Sequence, residues 1–444
     1  MNDKIVILGN GFDLRHFLPT KYSHLITILR VIEDMNFGNE VENDFEDIFG
    51  TLFKEKDKLF FEKINEYYET KNIYFETKKL KSIQERIKIN SWFQYLKSVE
   101  DNKIESWIDF ETEIIRVLSV LSNYFELFNN EKLGKIRDKI QLRDKVYFGI
   151  YKHSEEIFFK NKFQKNILGF FKLINIQNSN YSLLNDDYLV VIDDEIQYFK
   201  EKEFFDLIYI SLEEFVSIFN DYLEKIINTF YRNFKSEKKE NFIKSNNQFL
   251  FDKVYKIFSF NYTNTYHNLY KSDNSNDNLL RNLTRFEKFK GIDFLHGKSI
   301  ENLDNDLENL KIVLGVNDID SLLKNHKLFQ FTKYFQKLHK NTDYLFLDDI
   351  IKNIKKGLTQ YKIDFIFWGH SLDISDKDYI SDVFYIVDNN SLCRIKILYH
   401  NISGKADQLK NLLNIIDKNI IESMMKNKIL TFIESTPKNL FEEL

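Results

Sequence analysis

The sequence predicts an α/β protein built on a mostly parallel six-stranded sheet, with a large and mainly helical insertion. Three observations predict it. First, Lys4-Ile5-Val6-Ile7-Leu8 is a short apolar, β-branched run that empties into the turn Gly9-Asn10-Gly11, and an amphipathic segment follows from Tyr22 to Glu33. Strand, tight turn and helix in that order set backbone N–H groups and a helix N-terminus where a phosphate can be held. Second, short apolar runs recur in the C-terminal half, each bounded by polar residues or Gly, as in strands buried on both faces of a parallel sheet. Third, about 245 residues separate the first run from the second, whereas a βαβ crossover needs only a dozen or more.

Taken in order, the strands are Ile5–Leu8, Val254–Phe260, Ile292–Leu295, Ile312–Leu314, Ile363–Trp368 and Arg394–Tyr399. Helical spacing separates several of them, as at Asp378–Val387 and Ala406–Ile416. In the long interval, Glu111–Leu127, Asp138–Phe159 and Leu212–Phe234 carry apolar residues three and four apart, which makes the insertion helical. A short strand pair is expected at Tyr188–Ile192 and Ile196–Phe199. Asn268–Asn282, rich in Asn, Asp and Ser, reads as a loop. The resulting organisation is a Rossmann-like nucleotide-binding domain from residues 1–34 and 251–444, with 35–250 as an inserted helical domain.

Composition narrows the function classes. Charged residues are 30% and hydrophobic ones 43% of 444 residues, the profile of a folded chain long enough for more than one domain. A net charge of −5, with lysines spread beside acids, offers no field that recruits nucleic acid. The single cysteine, Cys393, excludes a disulfide framework and a four-thiolate zinc site, and reads as a small buried hydrophobe. The histidines show no metal-ligand spacing. Asp3 and Lys4 lead straight into the first strand, and the longest apolar stretch, Ile114 to Phe128, is broken by Arg116, Ser119, Ser122 and Asn123. A cytoplasmic protein with neither signal peptide nor membrane span is expected. Gly and Pro are scarce, 13 and 2, yet Gly9, Gly11 and Pro19 fall within eleven residues, so this turn demands a particular backbone shape.

Four polar motifs follow predicted strands, where open α/β sheets place their ligand crevice. They are Gly9-Asn10-Gly11-Phe12-Asp13, Phe260-Asn261-Tyr262-Thr263-Asn264, Leu295-His296-Gly297 and Gly369-His370-Ser371-Leu372-Asp373. The first reads as a dinucleotide phosphate site, or as an ordinary turn capped by Asp13. Leu14 stands where the usual dinucleotide fingerprint has its third Gly or Ala, which disfavours a hydride-transfer dehydrogenase. Asn261 reads as an amide that orients water or a ribose hydroxyl, or as a turn asparagine. His296 reads as a general base or ribose-binding imidazole, with Gly297 allowing close backbone approach, or as a structural histidine. His370 and Ser371 offer a hydroxyl and backbone amides to a nucleotide, or else cap a helix. No G-x-S-x-G elbow surrounds Ser371, so a Ser-His hydrolase does not fit. Asp109 and Glu111 admit a metal-dependent nuclease, or serve as acids near a helix N-terminus.

The run Ile7–Leu14 with Leu18-Pro19-Thr20-Lys21-Tyr22 closely resembles the start of the bacterial abortive-infection AbiH family. So do Ser106-Trp107-Ile108-Asp109-Phe110-Glu111, Phe260–Asn264, Leu295-His296-Gly297, Leu314-Gly315-Val316-Asn317 and Gly369-His370-Ser371-Leu372, in the family's order along nearly the whole chain. Phe17 departs from it, standing where that family usually has Gly. The resemblance implies defence against phage by arrest or death of the infected cell. It also implies a phage-derived trigger and a homo-oligomer, with the aromatic helical region as the candidate surface for both.

The motif order also resembles, more distantly, the sirtuin-like NAD-binding fold. That fold has a G-x-G turn followed by Pro (Gly9, Gly11 and Pro19 here), an Asn ending a strand, a His-Gly ending the next and a Gly-x-Ser-Leu ending a later one. This second resemblance implies NAD as substrate or ligand, cleaved at the nicotinamide–ribose bond with Asn261 and His296 as catalytic residues. Gly9, Asn10, Gly11, Phe12, Asp13, Pro19, Thr20, Thr263, Gly369, His370, Ser371 and Leu372 would then bind the dinucleotide. One cysteine cannot build the four-cysteine module of sirtuin deacylases, and Thr263 stands where NAD-destroying relatives commonly have Asp. A nucleotide-sensing switch without turnover would use the same crevice.

Overall fold

The structure, a computed structural model, describes residues 3–100, 107–129, 147–148, 162–176, 182–192, 195–238, 254–270, 290–301, 309–342, 346–356 and 362–443. Six strands form one sheet: β1 (Asp3–Leu8), β2 (Val254–Ser259), β3 (Ile292–Phe294), β4 (Ile363–Trp368), β5 (Arg394–Tyr399) and β6 (Leu430–Glu434). All neighbours are parallel, in the order β3-β2-β1-β4-β5-β6. This is a doubly wound order, with the topological switch between β1 and β4. The Rossmann-like sheet with its helical insertion is therefore as the sequence predicts.

Membership of the sheet differs at one strand. Ile312–Leu314 is buried but, among the described residues, pairs with no strand. Its backbone is satisfied by other groups: Val313 N donates to His296 O (2.8 Å), Gln336 holds both Leu314 N (2.9 Å) and Leu314 O (3.1 Å), and Lys340 Nζ donates to Ile312 O (2.8 Å). The sixth strand is instead β6, whose mixture of Thr, Phe and Glu at the sheet edge gives a weaker apolar signal. Nor does Asp138–Phe159 hold as a helix where it is described. Tyr147–Phe148 pair with Ser182–Leu184 as a strand, as suits an aromatic pair. The remainder of that segment, Ser106 and residues 271–282 of the expected loop lie outside the described residues.

Alternation along the strands decides the layers. Ile5 and Ile7 face one core with Phe365, Phe367, Ile395 and Ile397, covered by α6 (Lys377–Asp388), α7 (Ile402–Leu413) and α8 (Lys418–Lys426) through Val383, Leu412 and Met424. Cys393 is buried in this core. The helix expected from Ala406 starts earlier, because Asn401 caps it by accepting from Gly404 N at 2.7 Å. Val6 and Leu8 face the other core. That core continues unbroken through Phe12 of α1 (Asn10–Arg15) and Tyr22 and Ile26 of α2 (Tyr22–Asp34), reaching Phe110 of α3 (Trp107–Asn129) and Phe215 and Tyr222 of α4 (Glu201–Tyr222). The insertion thus covers one face of the sheet. Its helix continues past α4 to Arg232 through a π turn at Leu223–Ile227, and Leu189–Ile192 pairs with Glu195–Phe199 as expected. Among the described residues no helix is long and apolar enough to cross a membrane.

Candidate functional site

Register brings the motifs level. Leu8 pairs with both Ser259 and Trp368, Ser259 with Phe294, and Trp368 with Leu398. The residues that follow these ends therefore meet along one rim, where a cleft of about 1370 Å³ opens. Every strand contributes to it: Gly9, Asn10, Gly11 and Asp13 after β1, Asn261 and Thr263 after β2, His296 after β3, Gly369 to Ser371 after β4, His400 after β5 and Ser435 after β6. The insertion adds Phe53, Phe60, Glu111 and Phe219. Pockets for small molecules usually hold ~300–1,000 Å³, so the cleft is larger than most of them.

The glycines at the switch point bring backbone against backbone. Gly369 has φ +68, and a Cβ there would lie 2.3 Å from Phe12 N; Cβ atoms on Gly9 and Gly11 would come within 2.6 and 2.7 Å of Gly369. Gly9 N donates to Trp368 O (3.0 Å) and Gly11 N to Gly369 O (2.9 Å). These two donors hold the β1 and β4 turns together instead of facing the cleft, and α1 is only six residues long. A phosphate bound here would draw on donors other than Gly9 N and Gly11 N. Gly297 does provide the expected close approach, since a Cβ would fall 2.1 Å from Lys311 O.

Asp13 is not a cap. It lies inside α1, 1% exposed, and accepts from Thr263 Oγ1 at 2.5 Å. Thr265 Oγ1 donates onward to Thr263 Oγ1 (3.1 Å) and lies 2.7 Å from the Tyr231 hydroxyl. Burial raises the Asp13 carboxyl to about 6, against the two threonine hydroxyls and the Asn261 amide. Asp13 Oδ1 and Asn261 Oδ1 are buried without a hydrogen bond among the described residues.

Beside them lies a buried charge cluster. Asp376 Oδ1 is 3.3 Å from His296 Nε2 and 3.8 Å from Lys333 Nζ, the first residue of α5 (Lys333–His339), while its Oδ2 is 3.5 Å from His370 Nε2. Lys333 Nζ also reaches Glu111 Oε1 at 2.6 Å. All five residues line the cleft. Burial opposes the Asp376 charge, but Lys333, His296 and His370 outweigh it and hold the carboxyl well below the usual range. Burial pushes Glu111 up to about 7 despite Lys333. Burial also disfavours the Lys333 ammonium, yet Glu111 and Asp376 keep it above its ordinary value. His296 is lowered by burial to about 3 and His370 is lowered too, so both imidazoles are neutral at pH 7. Two carboxylates around one ammonium are thereby driven apart, the separation that acid–base chemistry needs.

The family profile described as "Bacteriophage abortive infection AbiH" matches residues 5–399. The chain belongs to the AbiH family. Its role is accordingly in abortive infection, a defence against bacteriophage. Comparison with curated proteins and with solved structures gives no match. At the position where AbiH proteins usually have Gly, Phe17 holds φ 54, the left-handed region that Gly enters freely, and its ring packs 4.5 Å from Tyr67.

Of the residues expected at a dinucleotide site, Asn261, His296, Gly9, Asn10, Gly11, Asp13, Thr20, Thr263, Gly369, His370 and Ser371 share the cleft, whereas Phe12, Pro19 and Leu372 do not line it. Phe12 is core, edge-on to Trp368 at 4.9 Å. Pro19 O accepts from Tyr222 of the insertion (2.5 Å). Leu372 N donates to His370 Nδ1 at 2.9 Å, which leaves the His370 proton on Nε2, toward Asp376. Sequence reasoning missed Asp376 and Lys333. Asp376 looks like the cap of α6, yet its side chain makes no cap hydrogen bond, and Lys333 carries no local signal. Glu111, weighed as a metal ligand, faces the Lys333 ammonium, and no group of three His, Cys, Asp or Glu among the described residues could hold a metal.

Proposed function

We propose that this AbiH protein cleaves NAD at the nicotinamide–ribose bond, arresting the infected cell by depleting the dinucleotide. What supports this reading is the meeting of Asn261 and His296, from the ends of separate strands, in one cleft with Thr20, Thr263 and Ser371 at the crevice edge of a doubly wound sheet. In the reaction the C1′–N bond breaks and nicotinamide leaves with the bonding pair. Water oxygen forms the new bond to the oxocarbenium-like ribose carbon, and one proton is lost. Asn261 would orient the water or a ribose hydroxyl. His296, neutral in the free protein, would take the proton, a contribution typically of ~10²–10⁴ in rate. The exposed Ser371, with Asn10 and Thr20, would bind the remainder of the dinucleotide.

The test is nicotinamide release from NAD by purified protein. Turnover by the wild type, falling on the order of a hundredfold or more in Asn261→Ala and His296→Ala, is expected; equal rates in all three would remove the mechanism. The low basicity that burial gives His296 favours a second reading, a nucleotide-binding switch. Calorimetry giving tight NAD binding with no nicotinamide over hours would establish that reading instead.

A further inference from the structure

Asp376 occupies the N-cap position of α6, where a carboxylate ordinarily accepts a backbone N–H of the first turn. Here it makes no such bond. Its two oxygens face side chains from three other segments: His296 Nε2 at 3.3 Å, His370 Nε2 at 3.5 Å and Lys333 Nζ at 3.8 Å. His370 cannot offer its other nitrogen, because Nδ1 already accepts from Leu372 N, and its backbone carbonyl is held by Gln408 Nε2 at 3.0 Å. Lys333 is itself anchored on Glu111, and the neighbouring Lys337 is engaged by the Tyr379 hydroxyl. The arrangement presents a carboxylate to the Nε2 edge of the His296 ring. His296 Nε2 and Asp376 Oδ1 are not yet aligned as a hydrogen bond, and such contacts commonly tighten only when substrate is bound.

We infer that Asp376 is a positioning residue for His296: its carboxylate takes the Nε2–H, leaving Nδ1 as the nitrogen that accepts a proton, and Lys333 keeps that carboxylate ionised. The inference rests on the NAD-cleavage reading only for which oxygen gives up the proton. In the step, the attacking water loses H⁺ to Nδ1 as its oxygen bonds C1′. The imidazolium that forms keeps both protons, and Asp376 stabilises it without becoming protonated. His296 then returns the proton to solvent.

The test uses the full-length protein with ¹⁵N-labelled histidine rings and a long-range ¹H–¹⁵N correlation spectrum, assigned with His296→Ala and His370→Ala. The expected result is an Nε2–H tautomer of His296 in the wild type and a tautomer mixture in Asp376→Ala, in which Lys333 still has Glu111. An Nδ1–H tautomer in the wild type, which needs no variant to observe, overturns the inference, as does an unchanged tautomer in folded Asp376→Ala. On the same samples kcat for nicotinamide release should fall on the order of 10²-fold with KM nearly unchanged, and recover in part in Asp376→Glu. An unchanged kcat in folded Asp376→Ala also overturns it. If the wild type releases no nicotinamide, the NAD-cleavage reading fails, and the tautomer still decides the role of Asp376.

Discussion

At Asp13 burial works against the charged form of a carboxylate that the cleft keeps at its rim. Its folded pKa of about 6 lies above the ordinary 3.8, so the stability this group contributes is complete below pH 3.8 and is lost as pH rises through 6. At pH 7 the difference corresponds to ~3 kcal/mol. Asp13→Asn should therefore stabilise the protein by ~1–3 kcal/mol at pH 7 and not at pH 4, as urea titrations at the two pH values would reveal. Gly369 is the opposite case. Gly369→Ala meets a left-handed backbone penalty of ~1–2 kcal/mol plus the collision with Phe12 N, so a marked loss of unfolding free energy is expected; a near-neutral result would mean the two turns can separate. The glycine motifs were legible in the sequence as special backbone, but their partner was not, because β1 and β4 touch across more than 350 residues of chain. Asp376 was illegible for a local reason: its position reads as a helix cap.

At the scale of elements, Ile312–Leu314 explains how an apolar run can look like a strand and not be one. Periodicity registers burial, and this segment is buried, but its hydrogen-bonding partners are the side chains of Gln336 and Lys340 and the His296 carbonyl. No sequence pattern distinguishes a neighbouring strand from a buried amide. Gln336, 0% exposed, is the nearest thing this segment has to a sheet partner. Gln336→Leu keeps the volume but orphans Leu314 N and O, at ~1–3 kcal/mol for each buried group. A loss of ~2–6 kcal/mol in denaturant unfolding is expected, and a loss under ~1 kcal/mol would show that water reaches the segment. The other five strands, rich in Ile, Val and Phe despite Lys256, Asp293, Asp364 and Lys396, were legible at nearly their true bounds. β6 was not, because Thr431 and Glu434 dilute it at the sheet edge.

Across the whole molecule, buried neutral imidazoles set the response to acid. His16 and His296 are both lowered by burial to about 3. A base with a depressed folded pKa contributes stability above its unfolded value of 6.5 and loses it as pH falls toward 3. Asp376, held low, acts in the same sense below 3.8. Between pH 4 and 3 the raised acids Asp13 and Glu111 are protonated in the folded state but only partly so in the unfolded one near pH 4, so they oppose by up to about one proton there and little at pH 3. Acid unfolding in that window should therefore take up more than about one proton, read from how the urea midpoint moves with pH; an uptake near zero would mean these rings are not held neutral. The sheet has one more consequence, for synthesis. β1 is made first but lies between strands that start at Val254 and Ile363. At ~5–20 residues per second a ribosome reaches β4 roughly 20–70 s after β1. A nascent chain that ends before β4 therefore lacks the half of the cleft rim that follows Trp368, and the cleft closes only when the last strands have joined the sheet.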